Sequence, residues 1–337
     1  MGDIASIGLD LAKQVFQVHA ADIDGKTLFN KKLRRSEVIE FFGSLSPCDV
    51  AMEACASAYY WAREIGRFGH RVKLVPAQLV KAFVTRGKTD AKDAAAINAS
   101  GRRSDIQFVA QRSCEQQGCA MLLRTRTLLV RQRTKVILAL RGHLAEFGIV
   151  AGRGVSNAAK LVSLVRSGDR DLPSSAAFAL NELCDEIESL NGRLDRVEKR
   201  IAADGKSDEI QQRLLTIPGV GVLTAAAIRA YVTDARQFKN ARQFAAWLGL
   251  TPLAHSSGGS SRLGRMSKRG NKELRSLLYN CATSSLRVAH KSGRMDRWLE
   301  SLLQRKPKKV VTVALSNKIA RIVWVIMTRG CNYEAAA

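Results

Sequence analysis

Between residues 5 and 76 apolar and polar positions alternate in short runs, each bounded by turn-forming or charged residues, the period-two signature of half-buried strands. Ile7 to Leu11, Val15 to Ala20 and Thr27 to Leu33 read as three consecutive strands, a meander. A helix is expected from Ser36, as N-cap, to Leu45, with Pro47 closing it. Cys48 to Glu53 reads as a buried strand, Ala58 to Phe68 as an amphipathic helix, and Arg71 to Val75 as a strand ending at Pro76. The order βββαβαβ, with helices packed on a mixed sheet, matches an RNase H-like α/β arrangement.

Beyond residue 88 the pattern is mainly helical. A helical stretch opens at Asp90 and runs through Ala94, Ala95, Ala96 and Ile97, and another covers 102 to 141. Leu180, Leu183, Ile187, Leu190, Leu194, Val197 and Ile201 step by three and four without interruption, a heptad seam. Its partner is either the same segment of a second chain or the 120 to 147 helix of its own, and a coiled-coil connector favours a dimer. Further on, Leu214 to Ile228 carries a Pro-Gly-Val-Gly turn between helical runs. Phe238 to Leu250 reads as one apolar helix, about Lys272 to Val288 as another, Val310 to Thr328 as an amphipathic one, and the tail after Gly330 as frayed. The expected division is 1–105, 106–205 and 206–330.

At 337 residues the chain exceeds what one core usually holds, and 46% hydrophobic residues suffice for two. Its 54 Lys and Arg against 30 Asp and Glu give a net charge of +24, which suits a polyanion partner. No apolar run approaches eighteen residues and no signal peptide or lipidation motif is present, so a soluble, intracellular protein without a membrane partner is expected. Seven cysteines form no CxxC pair and the histidines are scattered, which argues for free thiols rather than a disulfide frame or zinc site.

Four acids change the picture. Asp10 falls inside the first strand and Glu53 at the end of the fourth, adjacent strands in this arrangement, so both meet at one sheet edge. Asp90 and Asp93 share a helix face. Four hard oxygen ligands suit Mg²⁺ or Mn²⁺, and two such ions about 4 Å apart clamp the attacking and leaving oxygens of a phosphodiester. Alternatively, Asp90 and Asp93 merely favour a helix N-terminus, though that leaves Asp10, an acid in an apolar strand, unexplained.

Basic residues supply the complementary feature. Residues 102 to 141 hold nine, among them Arg124, Arg126, Arg131, Arg133 and Lys135, against Asp105 and Glu115; a phosphate-binding face is expected, without base stacking because few aromatics interleave. Gly219 and Gly221 let backbone amides approach a DNA phosphate, as in a helix-hairpin-helix element, or make a plain interhelical turn. Finally, His255 to Arg275 sets Ser256, Ser257, Ser260 and Ser261 before Arg262, Arg265, Lys268, Arg269, Lys272 and Arg275, opposed by Glu273 alone. This is either a hydroxyl nucleophile beside a phosphate clamp, with Lys268 and Arg269 on the phosphate oxygens, or a surface loop before a solvated helix.

In combination the chain resembles the insertion-sequence-110 transposases, relatives of the Piv-type invertases. The resemblance rests on Ile7-Gly-Leu-Asp-Leu-Ala-Lys13, Met52-Glu-Ala54, Lys88-Thr-Asp-Ala-Lys-Asp93, Ile217-Pro-Gly-Val-Gly221, Ala241-Arg-Gln-Phe-Ala-Ala-Trp-Leu-Gly-Leu-Thr-Pro252, Ser257-Gly and Arg265-Met-Ser-Lys-Arg-Gly270. It implies a RuvC-like domain whose DEDD set falls on Asp10, Glu53, Asp90 and Asp93, a coiled coil, and a mainly α second domain whose nucleophilic serine falls on Ser257. It further implies a recombinase guided to double-stranded target and donor DNA by a bridge RNA, working as a dimer to tetramer with serine and acids drawn from different protomers. The expected activity is DNA cutting and rejoining through phosphoserine with Mg²⁺; the alternative is a metal-dependent junction nuclease using water.

Overall fold

The computed structural model describes residues 3–83, 89–152, 154–168, 171–257, 260–293 and 295–334. Internal contacts divide the chain into two units, Met1–Ser113 and Cys114–Ala337.

The first unit is built on a five-stranded sheet. In chain order come β1 (Ser6–Asp10), β2 (Val15–Ala21), β3 (Thr27–Arg34), a 3₁₀ turn at Arg35–Glu37, α1 (Val38–Gly43), β4 (Asp49–Glu53), α2 (Ala58–Gly66), β5 (Arg71–Val75), α3 (Ala77–Val80) and α4 (Asp90–Gly101). The spatial order is β3-β2-β1-β4-β5, antiparallel across β1–β2–β3 and parallel across β1–β4–β5. Period two then sorts the side chains. Ile7, Leu9, Val50 and Met52 pack with Phe42, Trp61 and Ile65 on the α1–α2 side. Ala51 and Val75 pack with Ala96 and Ile97 on the α4 side.

The sequence expectation for α1 needs one correction. The chain makes a 3₁₀ turn before the helix, and Ser36 lies within it; Arg34 holds the extended capping position, and its N–H donates to Glu37 Oε2 at 2.6 Å. A carboxylate three residues on satisfies this end better than the serine hydroxyl does, and α1 stops at Gly43.

In the second unit α5 (Cys114–Glu146), α6 (Val155–Ser167) and α7 (Ser174–Lys206) precede α8 (Glu209–Leu215), α9 (Val222–Tyr231), α10 (Ala241–Trp247), the hairpin β6 (Pro252–Ser257) and β7 (Ser260–Met266), α11 (Lys272–Ser292), α12 (Arg297–Arg305) and α13 (Lys308–Arg329). The heptad seam lies on α7, and α5 of the same chain covers it. Leu140 and Leu144 meet Leu180, Cys184 and Ile187, while Leu129 meets Leu190 and Leu194. Burial of the seam therefore requires no second chain, and of the two partners the sequence allowed, the internal one is seen. Ala120, Leu123 and Ile201 continue into the core formed by the carboxyl-terminal helices.

The helix expected over 238 to 250 begins only at Ala241, because Asn240 adopts an extended backbone and its Oδ1 accepts from the Gln243 N–H at 2.9 Å. Phe238 is buried just outside it. Helix α13 is long and apolar enough to cross a membrane by length and composition. Its Val311, Leu315, Ile319, Ala320, Val323 and Ile326 are instead buried in the core of this unit, as a core helix requires. All seven cysteines are unpaired.

Candidate active site

Strand register puts two of the acids side by side. Leu9 pairs with Met52 in the parallel β1–β4 ladder, and the next position on each strand is Asp10 and Glu53. Alternation assigns Asp10 to the face of Gly8 and Glu53 to the face of Ala51, and both of those residues abut α4. A Cβ built at Gly8 would lie 2.1 Å from the Ala94 carbonyl oxygen, and one at Gly101 would lie 2.3 Å from Ala51 Cβ. Only glycine allows the helix to lie this close to the sheet. Asn98 then pins it: its Nδ2 donates to the Ser6 carbonyl at 3.4 Å and to His19 Nδ1 at 3.1 Å.

These contacts make α4 antiparallel to β1, since Asn98 stands over Ser6 and Ala94 over Gly8. Four helical residues (~6 Å) and two strand residues (~7 Å) then carry both chains to the same end. There α4 starts, with Thr89 capping through Oγ1 to the Lys92 N–H at 3.3 Å, and there lie Asp90 and Asp93 in its first turn. All four acids occupy one sheet edge; Asp90 is exposed and the other three are half-buried. Lys88 of the same motif lies outside the described residues. A hard divalent cation suits this donor set by chemistry and by edge position. Among the described residues, however, no three His, Cys, Asp or Glu side chains close on one point. Four like charges at one edge repel, which opposes such closure in the bare protein.

The serine stretch is a β-hairpin rather than a loop. Ser257 pairs with Ser260 and Ser256 with Ser261, so Ser257 is the last residue of β6 before the tip; Gly258 and Gly259 lie outside the described residues. The base of this hairpin is interlocked. Gly249 has φ +72° and its Cβ would meet the Arg269 carbonyl at 2.1 Å, while Gly270 has φ +74° and would meet the Trp247 carbonyl at 1.9 Å. Arg275 Nη1 donates to both the Leu248 carbonyl (3.0 Å) and the Arg269 carbonyl (2.7 Å). Lys268 sits in this turn at φ +53°, uncommon for a residue with a side chain.

The basic candidates separate into two groups. Arg124, Arg131 and Lys135 are exposed on α5, as are Arg262 and Arg265 on β7, Lys268 and Arg269 in the turn, and Lys272 opening α11. Two others hold helices together: Arg126 Nε pairs with Glu198 at 2.7 Å and Arg133 Nη1 donates to Asn191 Oδ1 at 2.9 Å, both on α7. Glu273, the lone acid of the serine stretch, accepts from Tyr231 Oη at 2.7 Å and Thr127 Oγ1 at 3.4 Å. Burial, reinforced by Glu273, pushes the Tyr231 phenol up to about 12, with Arg124 pulling the other way. Gly219 has φ +84° and its Cβ would lie 2.1 Å from Ser285 Oγ, so the turn before α9 needs glycine; Gly221 faces open space.

Both features fall within matches to known families. A DEDD transposase model of the IS110 type matches residues 7–149, covering all four acids, and the model described as Transposase IS116/IS110/IS902 family matches residues 211–297, covering the glycine turn, the serine hairpin and the basic turn. The chain is 45% identical over 335 residues to a probable family 20 transposase of Pseudomonas aeruginosa, an alignment spanning 98% of this chain and 99% of that one. It is 41% identical to the putative transposase y4pF/y4sB of Sinorhizobium fredii (99% and 86% covered) and 38% identical to the transposase for insertion sequence element IS1328 of Yersinia enterocolitica (98% and 98%). The chain belongs to the IS110/IS116/IS902 transposase family.

In this insertion-sequence transposase the supporting residues were the least visible from sequence. Gly8, Asn98 and His19 set where the acids stand, and Gly249, Gly270 and Arg275 lock the base of the hairpin. Of these, Gly8, Gly249 and Gly270 carried a signal, as glycines within recognisable motifs. The DEDD match suggests dependence on a divalent metal.

Proposed function

We propose that the transposase cuts and rejoins DNA through a phosphoserine formed by Ser257, with Asp10, Glu53, Asp90 and Asp93 of a RuvC-like domain holding Mg²⁺. The observation that carries this reading is the placement of four acids at one end of the sheet within the DEDD match, together with a serine at a hairpin tip within the second match. Mg²⁺, when bound, supplies charge neutralisation at a scissile phosphate. The acids present hard oxygen donors from two strand ends and one helix start. Ser257 Oγ forms the bond to phosphorus as one backbone P–O ester bond breaks, and the departing sugar oxygen takes up a proton. The phosphoserine retains the ester's free energy, so the strand is rejoined without ATP, in keeping with a chain that has no G-x-x-x-x-G-K-[ST] loop. Arg262, Arg265, Lys268, Arg269 and Lys272 neutralise backbone phosphate, with Lys268 and Arg269 on the reacting group.

The same reading includes double-stranded target and donor DNA selected by a bridge RNA, and assembly as dimer to tetramer in the bacterial cytosol. A charge of +24 supports nucleic-acid binding without sequence choice, so the choice is delegated to base pairing. With the α7 seam closed internally, other surfaces carry the assembly.

Ser257→Ala tests the core of the proposal. Incubated with cognate DNA and the element's flanking RNA, the variant is expected to form no covalent protein–DNA adduct on denaturing gels while binding both nucleic acids as the parent does. Strand cleavage without an adduct in the parent protein would return the site to a water-using metal nuclease.

A further inference from the structure

A cavity of about 690 Å³ opens beside the acid edge, lined by Gln14, Arg34, Arg35, Ile39, Tyr60 and Trp61 among others. Its size falls in the roughly 300–1,000 Å³ range of small-ligand sites. Strand register fixes its location. Gln17 pairs with Asp10, and Val15, two residues away along β2 (~7 Å), pairs with Arg34 at the end of β3. The cavity is therefore at the same end of the sheet as the acids, on the α1–α2 side.

Its lining combines planar and cationic groups. The Arg35 guanidinium lies 5.0 Å from the Trp61 ring centroid and 5.8 Å from that of Phe16, so its plane is held by aromatic contacts. Tyr60 packs against Trp61 at 5.1 Å in an edge contact yet remains 46% exposed. Among the described residues, no ion pair engages Arg34 or Arg35, both exposed. Trp61 is 3% exposed and its Nε1 has no hydrogen-bond partner, an orphan donor in the cavity's lining residue. An aromatic ring, a stacking guanidinium and unpaired positive charge form the combination that binds a base by its face and its phosphate by charge.

We propose that this cavity takes one unpaired nucleotide of a single-stranded nucleic acid, its base against Tyr60 and the Arg35 plane and its phosphate on Arg34 and Arg35. The inference rests on the nucleic-acid reading of the acid edge and adds to it a grip on the strand next to that edge. A duplex does not satisfy it, because paired bases present no free face.

The test uses full-length protein and short RNA and DNA oligonucleotides carrying 2-aminopurine, single-stranded or annealed. Single strands are expected to be quenched on binding. Tyr60→Leu and Arg35→Lys should each abolish the quenching and weaken single-strand binding roughly ten-fold, as loss of one stacked base does, while duplex affinity stays within about two-fold. Tyr60→Phe keeps the ring and should behave as the parent, guarding against a folding defect. Whichever of the RNA and DNA arms responds identifies the source of the nucleotide. Unchanged single-strand binding in both variants, or an equal loss for duplex, overturns the proposal. Asp10→Asn separates it from the catalytic reading: that variant should lose cleavage yet quench normally, whereas absent quenching in a parent protein that cleaves sinks the cavity alone.

Discussion

The acid edge and the serine hairpin, the two features on which the proposed chemistry draws, are built in opposite ways. At the edge, each carboxylate is set by long-range structure: a parallel ladder for Asp10 and Glu53, and a helix pressed onto that ladder through Gly8 and Gly101 for Asp90 and Asp93. The hairpin is a two-stranded element whose partners are each other, with its tip serine distant from the interlocked glycine turns at its base. A two-stranded ribbon has little stability of its own, so its order comes from the base. Damage to the edge should thus appear as lost stability together with lost activity. Damage at the hairpin base should cost activity with little stability.

Gly8→Val gives the largest expected effect. The first added carbon would sit 2.1 Å from the Ala94 carbonyl and 2.6 Å from the Asn98 nitrogen, both backbone atoms that cannot turn aside. Helix α4 must lift off the sheet, at a cost of about 3 kcal/mol or more. Thermal melting should fall by many degrees and metal-dependent cleavage should vanish. A variant that melts like the parent would mean that α4 does not rest on β1, and the common edge for the four acids would go with it.

Gly249→Ala is the matching change at the hairpin. It combines a left-handed backbone with a carbon 2.1 Å from the Arg269 carbonyl, for about 1–3 kcal/mol of local strain. The α9–α13 core retains its own packing, so the melting temperature should drop far less than for Gly8→Val while adduct formation is lost. Equal losses of stability in the two variants would erase the distinction between edge and hairpin.

How much of this was legible beforehand follows from the range of the forces involved. The strands of the first unit were readable because period-two alternation is local, and Arg71–Val75 was delimited to the residue. Asp10 stood out because a carboxylate in an apolar strand is costly without a purpose, and its nearness to Glu53 followed from the expected strand order. The companion of the α7 seam was not, since the heptads of one helix do not name the helix opposite. For the same reason Arg126 and Arg133 read as phosphate contacts, although Glu198 and Asn191 face them across α7. The cavity of Arg35, Tyr60 and Trp61 was hidden because its groups come from a turn and a helix about 25 residues apart that only the fold brings into contact.

The smallest expected effect tests whether the pin under α4 is electrostatically neutral. Burial lowers the pKa of His19 below the ordinary 6.5, against a smaller opposing backbone hydrogen bond. Its Nε2 lies 3.1 Å from Thr27 Oγ1 and its Nδ1 3.1 Å from Asn98 Nδ2. With Nδ1 accepting from the amide, Nε2–H donates to the hydroxyl and the ring is neutral. A proton on Nδ1 would oppose the Asn98 NH₂, and turning that amide would point its oxygen at the Ser6 carbonyl it now serves. As pH falls, the unfolded chain takes up this proton first, so stability is full above about 6.5, declines as pH drops through 6.5 toward the lower folded value, and levels off beneath it. Asp49 acts in a separate window: burial raises its pKa, but Lys73 and Arg71 more than offset this, so its contribution persists until pH falls below the usual 3.8. Melting curves of the parent between pH 8 and 5 should therefore show a modest decline, small beside either glycine change, and His19→Gln should flatten it. A slope unchanged in His19→Gln would place the titrating group elsewhere and leave Asn98 as a pin that the ring does not govern.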